Sequence, residues 1–235
     1  MKYWLVMPAA GAGRRFGESI PKQYAPLAGR TVIEWALAPF LADSRCAGIL
    51  LALSHEDRHW RNIADTLPPI VVVMGGAERC QTVSNALNIL SSRATLGDWV
   101  LVHDAARPCL TSHDLNRLVE TLADHPVGGL LATPLADTLK RAHSVDSANA
   151  PPIVDHTVER AGLWRALTPQ MFRFGRLREA LHQASAAHRQ PTDEAQAIEW
   201  LGERPVLVAG AASNIKITSR DDLVLAEAIL AARKE

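Results

Sequence analysis

Apolar runs of strand length alternate along this chain with longer stretches whose apolar positions recur every three to four residues. Residues 3–7 (YWLVM), 48–53 (GILLAL), 70–74 (IVVVM), 99–103 (WVLVH) and 129–132 (GLLA) are nearly unbroken apolar runs, the mark of strands buried on both faces. Between them, residues 31–41, 55–67, 79–90 and 112–122 read as helices, the first capped by Thr31 with Glu34 at the capping-box position. This order predicts an α/β fold: a doubly wound, mostly parallel sheet sandwiched between helices. Ligands in such sheets sit outside the carboxyl ends of the strands. The glycine-rich turn after Pro8, the pair Gly75 and Gly76, and Asp104 all fall there.

The turn is the most specific of these. In residues 8–23, PAAGAGRRFGESIPKQ, Pro8 ends the first strand because it has no N–H for a ladder. Ala9, Ala10, Gly11, Ala12 and Gly13 carry almost no side-chain bulk, so their backbone N–H groups can wrap closely around an anion. Arg14, Arg15 and Lys22 add charge with few acids beside them, which suits a polyphosphate. A tight turn flanked by surface arginines is the bland alternative. The spacing GxGxxxG formed by Gly11, Gly13 and Gly17 fits a dinucleotide fingerprint poorly. Arg14 and Arg15 stand where an apolar helix start belongs, the acidic position falls near Glu34 inside a helix, and Pro21 interrupts. No GK[ST] follows the glycines.

Residues 137–172 break the alternation, with two strand-like stretches around a polar, proline-bearing turn. An excursion of this length is a lid, a disordered loop or a dimerisation arm. A late strand is expected at residues 214–218 (NIKIT). The 235 residues lack a Pro/Gly/Ser linker, so one domain spanning 1–235 is expected. A hydrophobic content of 48% and a charged content of 21% describe an ordinary soluble globule. Formal net charge is zero, which offers no general attraction to nucleic acid or an anionic membrane. The amino-terminal apolar run is short and followed at once by arginines, so a cytoplasmic protein is expected. Cys46, Cys80 and Cys109 form no CxxC and suit reduced packing thiols. His55 and His59, four apart, lack a third ligand for zinc.

PAAGxGxR followed by PKQ, with GGAERCQTV, VHDAARP, DTLKR, LTPQ, PTDEA and NIKIT further along, resembles the 2-C-methyl-D-erythritol 4-phosphate cytidylyltransferases nearly end to end. The resemblance implies a Rossmann-like nucleotidyltransferase sandwich whose residues 137–172 form a projecting β-arm. That arm would complete the site of a second subunit, making a homodimer. CTP and a polyol phosphate are the implied substrates, with Mg²⁺ bridging the triphosphate. Arg15 and Lys22 then act on the α-phosphate and leaving group, and Ala9, Ala10, Gly11, Gly13, Gly76 and Thr82 bind the nucleotide. Arg160 from the partner and Lys216 clamp the polyol phosphate, which Thr138, Thr168 and Thr192 hydrogen-bond. Asp104 and Arg107 reach the polyol phosphate or ribose, and Asp104 is the best candidate carboxylate near the metal. Read from the residues alone, Asp104 could cap its turn with Arg107 as its partner, and the threonines could be caps. Thr82 replaces the family's usual serine, and Ala77 replaces an acid found in some relatives.

No Ser/His/Asp or Cys/His arrangement suggests itself, and the implied chemistry needs none. A phosphate monoester with a second pKa of about 6 is largely ionised at neutral pH and attacks without a general base. Cations that relieve repulsion between two phosphoryl groups are what the reaction requires. Two other readings stay open at this point: transfer to another polyol phosphate such as ribitol 5-phosphate, and a non-catalytic nucleotide-binding module of the same fold. A dehydrogenase fits least.

Overall fold

The computed structural model describes residues 1–11, 20–143 and 151–233. In chain order the elements are β1 (Tyr3–Pro8), a 3-10 turn (Lys22–Tyr24), β2 (Pro26–Leu27), β3 (Arg30–Thr31) and α1 (Val32–Leu41). Then come β4 (Cys46–Leu53), α2 (Arg61–Ala64), β5 (Val71–Met74), α3 (Arg79–Leu90), β6 (Trp99–Val102) and α4 (Ser112–Leu122). The second half holds β7 (Gly128–Pro134), β8 (Leu139–Ala142), β9 (Val154–Val158), β10 (Trp164–Arg173) and α5 (Phe174–Ala186). It closes with α6 (Glu194–Glu199), β11 (Val206–Ala209) and α7 (Arg220–Ala231).

Among the described residues, seven strands form one sheet in the order β11-β7-β10-β6-β1-β4-β5. All neighbours pair in parallel except β10, which runs antiparallel between β6 and β7. The doubly wound, mostly parallel expectation holds. Successive residues of β1 divide between the two faces: Tyr3, Leu5 and Met7 join the core beneath α1 and α4, while Val6 joins the core beneath α3 and α5. The helices supply matching stripes. Ile33, Ala36, Leu37 and Phe40 of α1, Val83, Ala86, Leu87 and Leu90 of α3, and Leu115, Leu118, Val119 and Leu122 of α4 repeat the same three-four-seven spacing and are buried. Thr31 and Glu34 form the expected capping box, with the Thr31 N–H donating to Glu34 at 2.7 Å.

Three expectations change. The helix foreseen over residues 55–67 shrinks to Arg61–Ala64. Asp57 redirects the chain there: its Oδ1 accepts the N–H groups of His59 and Trp60 at 3.0 and 2.9 Å, and its Oδ2 accepts the Tyr24 hydroxyl at 2.8 Å. His59 stacks on Tyr24. The excursion expected over 137–172 divides in two. β8 and β9 form a separate antiparallel hairpin, whereas from Trp164 onward the chain is back in the central sheet, because Leu167, Met171 and Phe172 are core residues and β6 and β7 both need a neighbour. The third is the late strand. Residues 214–218 belong to no sheet, and the Ile217 N–H meets a loop carbonyl, Ala106, at 2.8 Å. Ile217 packs into a small cluster with Ala25, Leu27, Val32 and Ala226, so its alternation reflects packing under α7 rather than a ladder.

Gly129 is where the edge strand β11 lies closest. A Cβ at this position would stand 2.2 Å from the Val206 carbonyl oxygen. Gly129→Ala therefore forces β11 off β7 and should lower stability by about 1–3 kcal/mol, as overpacking does. An unchanged urea midpoint would show that the edge yields freely.

Candidate active site

Four stretches meet at the carboxyl ends of the central strands. The turn after β1 brings Ala9, Ala10 and Gly11, the turn after β5 brings Gly75 and Gly76, the loop after β6 brings Asp104, and the extended segment before α7 brings Lys216. The first two touch. A Cβ on Gly75 would come within 2.3 Å of the Ala10 Cβ, and the Gly75 N–H donates to Leu53 O at the end of the intervening β4 at 2.8 Å. Only glycine permits that approach. The Gln23 side-chain amide donates to Ala9 O at 3.0 Å, tying the 3-10 turn to the same loop and presenting Lys22 to the cleft. Lys22 Nζ donates to Ile217 O at 3.0 Å. The cleft these elements enclose, about 180 Å³, is lined by Ala9, Ala10, Gly11, Lys22, Gly76, Arg79, Thr82, Asp104 and Lys216 among others.

Asp104 is the hub. Its Oδ1 receives Arg79 Nε at 3.2 Å and lies 3.1 Å from Arg79 Nη2, while its Oδ2 lies 2.9 Å from Lys216 Nζ and 3.6 Å from Arg107 Nε. Burial opposes the charge on this carboxylate, but Arg79, Lys216 and Arg107 together outweigh it and hold its pKa well below the usual carboxylate range. Arg79 is shared with a second buried acid: Nη1 reaches Glu194 Oε1 at 2.6 Å and Nη2 reaches Oε2 at 3.0 Å. Burial works against this guanidinium too, and the charges of Glu194 and Asp104 more than offset it, raising its pKa.

Behind Asp104 lies a second network of buried hydrogen bonds. Thr168 sits where β10 slips its register with β7, between Ala166 and Gln170. Its hydroxyl accepts the Asp104 N–H at 3.1 Å and donates to His103 Nδ1 at 2.9 Å. His103 Nε2 lies 3.2 Å from the Arg107 carbonyl, which only accepts, so that nitrogen carries the proton. Arg107 donates to Asn214 O at 2.7 Å, and the Asn214 amide donates to Thr168 O at 2.8 Å.

The sequence-derived candidates therefore separate into groups. Lys22, Lys216, Asp104, Ala9, Ala10, Gly11, Gly76 and Thr82 line one cleft. Arg15 and Gly13 lie outside the described residues. Arg107 and Thr168 are buried behind Asp104, committed to the framework just described. The Thr82 hydroxyl is likewise engaged, accepting the Gly76 N–H at 3.0 Å and donating to Glu78 O at 3.0 Å. It shapes the glycine turn. Thr138, Arg160 and Thr192 are exposed and do not line the cleft of their own chain, and Arg160 donates to the Ala136 carbonyl at the base of the hairpin. Sequence reasoning passed over Arg79 and Glu194. Their only signal was position: Arg79 opens α3 directly after the Gly-Gly turn, and Glu194 opens α6 beside Thr192. The thiols of Cys46 and Cys109 are pushed up to about 11 by burial, in keeping with packing roles.

Residues 3–232 match the family model of IspD, 2-C-methyl-D-erythritol 4-phosphate cytidylyltransferase. A protein of that name from Acidithiobacillus ferrooxidans is 51% identical over 243 aligned residues, covering 100% of this chain and 98% of that one. One from Vibrio vulnificus is 46% identical over 98% of this chain and 95% of its own. Among solved structures, a 4-diphosphocytidyl-2C-methyl-D-erythritol synthase superposes with a TM-score of 0.84 at 37% identity, covering 97% of this chain and 98% of that one. The 2-C-methyl-D-erythritol 4-phosphate cytidylyltransferase of Thermus thermophilus gives 0.77 at 32%, over 99% and 100%. The sheet, the glycine turn and the cation-lined cleft thus define an enzyme of the nucleotidyltransferase class. Within that class the chain belongs to the 2-C-methyl-D-erythritol 4-phosphate cytidylyltransferase family.

The His103 network makes folding sensitive to acid. Burial pushes the His103 pKa down to about 4, against roughly 6.5 when unfolded, so the native state favours neutral imidazole. The sign follows: between pH 6.5 and 4 the unfolded chain binds a proton that the native chain refuses, and stability falls with pH by up to roughly 3 kcal/mol. In His103→Asn this part of the decline should vanish. Parallel slopes of unfolding free energy against pH in the two proteins would contradict it.

Proposed function

We propose that this protein transfers the cytidylyl group of CTP to 2-C-methyl-D-erythritol 4-phosphate, releasing pyrophosphate, in the non-mevalonate route to isoprenoid precursors. The observation that carries the reading is the meeting of Lys22 and Lys216 with the small residues Ala9, Ala10 and Gly11 around one buried carboxylate. An ionised oxygen of the 4-phosphate attacks the α-phosphorus; the bond from that phosphorus to the bridging oxygen of the β-phosphate breaks, and pyrophosphate departs with the electron pair. No proton has to move. Lys22, with Arg15 seven positions earlier in the chain, neutralises the α-phosphate and the leaving group, the kind of preorganised charge that lowers such a barrier most. Lys216 exchanges Asp104 for the incoming phosphate and holds it in line. Backbone groups of Ala9, Ala10, Gly11, Gly13 and Gly76 receive the nucleotide, with Thr82 fixing the turn that presents Gly76.

The cleft offers a divalent cation one carboxylate, Asp104, whose Oδ2 would be opened to it as Lys216 turns to the incoming phosphate, so the metal would be held mainly by its substrate. Among the described residues no three His, Cys, Asp or Glu side chains converge, and Asp104 is a hard oxygen donor on the cleft. Mg²⁺ would share Asp104 with the triphosphate oxygens and supply charge neutralisation there. The hairpin of β8 and β9 supports a dimer in which each arm enters the partner's cleft. Ile153, Val154, Leu163 and Trp164 are exposed along or beside it, and Arg160 stands outside its own chain's cleft. Thr138 and Arg160 then grip the polyol phosphate across the interface, and Thr192 approaches from α6. No helix among the described residues is long and apolar enough to cross a membrane.

Crossing four nucleoside triphosphates with methylerythritol phosphate and ribitol 5-phosphate in a pyrophosphate-release assay should give turnover with CTP and methylerythritol phosphate. Turnover with ribitol phosphate alone would replace the acceptor, and none with any pair would remove catalysis. Lys22→Ala should lower kcat by roughly two orders of magnitude, with little change in KM for the acceptor. Arg160→Ala should weaken acceptor binding instead. Mixing these two variants at equal concentration should restore about a quarter of wild-type activity, since half of the dimers would carry one intact site. No recovery would mean that the arm serves its own chain.

A further inference from the structure

The Arg79 guanidinium lies between two acids and uses both edges. One edge holds Glu194 through two bonds of 2.6 and 3.0 Å, and the other holds the single oxygen Oδ1 of Asp104 at 3.2 and 3.1 Å. Glu194 is 1% exposed and therefore has no water with which to exchange this partner. It also sits on a fixed support. Asp193 caps α6 by accepting the Gln196 N–H at 2.8 Å, while buried Gln170 of β10 donates to Asp193 at 3.0 Å and accepts the Ala195 N–H at 2.8 Å. The first turn of α6 is thereby pinned to the central sheet on both sides of Glu194. Arg79 is itself the first residue of α3. A planar fork between two anchored helix starts has little freedom to rotate.

We propose that Glu194 is a positioning residue for the transfer reaction: by gripping one edge of Arg79 it fixes the plane of the Asp104 carboxylate, and through the other oxygen of that carboxylate the standby position of Lys216. Alternating charges connect Glu194, Arg79, Asp104 and Lys216, and each member stands within 3.2 Å of the next. Lys216 is the most exposed of the four, so it is the link that moves when a phosphate arrives. A lysine in place of Arg79 would keep the charge yet reach only one of the two acids. The effect on turnover rests on the cytidylyl-transfer reading; the effect on Lys216 does not.

Breaking a buried pair on one side strands a charge, so the test removes both partners. Glu194→Gln combined with Arg79→Met should fold with a melting temperature close to wild type. It should still lose about tenfold or more in kcat, with KM for both substrates within about twofold, because oriented groups and not affinity are lost. A crystal structure of this double variant should show the Asp104 carboxylate rotated about its Cβ–Cγ bond and Lys216 Nζ drawn with it away from its wild-type position. Full kcat in the double variant would reduce the pair to scaffolding and overturn the proposal. An Asp104 carboxylate plane and a Lys216 Nζ that superpose on the wild type would overturn it whether or not the wild type accepts methylerythritol phosphate. If the wild type releases no pyrophosphate, the substrate reading falls while the Lys216 geometry decides this one. Should the double variant not fold, Arg79→Lys decides: a kcat reduced as far as in Arg79→Ala supports the clamp, and a wild-type kcat refutes it.

Discussion

A carboxylate removed from water has to find cations, and the arrangement of this site follows from how Asp104 finds them. Its partners come from three separate parts of the chain: Arg79 from the start of α3, Arg107 from its own loop, and Lys216 from the segment before α7. None of the three is a sequence neighbour that an isolated turn would recruit, apart from Arg107. Satisfying one negative charge thus draws together the carboxyl end of the sheet, a helix start and the chain's last extended stretch. The ion pairs need not add much net stability, because burying the charges offsets most of what their attraction returns. What they provide is a defined place for each cation.

That arrangement also accounts for what the site lacks. A phosphate monoester needs no base to become a nucleophile at neutral pH, so the cleft can do without an activated histidine or thiol. The one histidine at the centre, His103, is buried, neutral and bonded on both ring nitrogens to the framework. It supports the loop that carries Asp104 through Thr168 and takes no place on the cleft lining. The small residues on the opposite wall serve the same end by a different means. Ala10 and Gly75 approach so closely that the turns after β1 and β5 form one continuous wall of the cleft.

Polar residues chosen from the sequence proved to differ in what their side chains are free to do. Thr82 and Thr168 have hydroxyls, as any ligand-binding threonine must, yet both hydroxyls are engaged in holding backbone in place. Arg107 points its guanidinium at the Asn214 carbonyl. Arg79 and Glu194 carry no local mark that separates them from a surface arginine and a first-turn glutamate; only the proximity of α3 to α6 turns them into a buried pair. The hairpin shows the converse. Its strands were legible as strands, but nothing in their residues told where the projection ends and the central sheet resumes, since β10 is apolar in either setting.

Short-range physics set the strands, the three-to-four spacing of the helices, the Thr31–Glu34 cap and the small-residue turn after Pro8, because each depends on residues within a few positions of one another. Burial on both faces was legible from the unbroken apolar runs, and with it the doubly wound class. Tertiary structure alone decided the antiparallel insertion of β10, the loss of the late strand at 214–218, and the path from Glu194 through Arg79 and Asp104 to Lys216. Those depend on which distant segments share a ladder or a charge. Contacts between residues tens of positions apart or more leave no periodicity in the sequence.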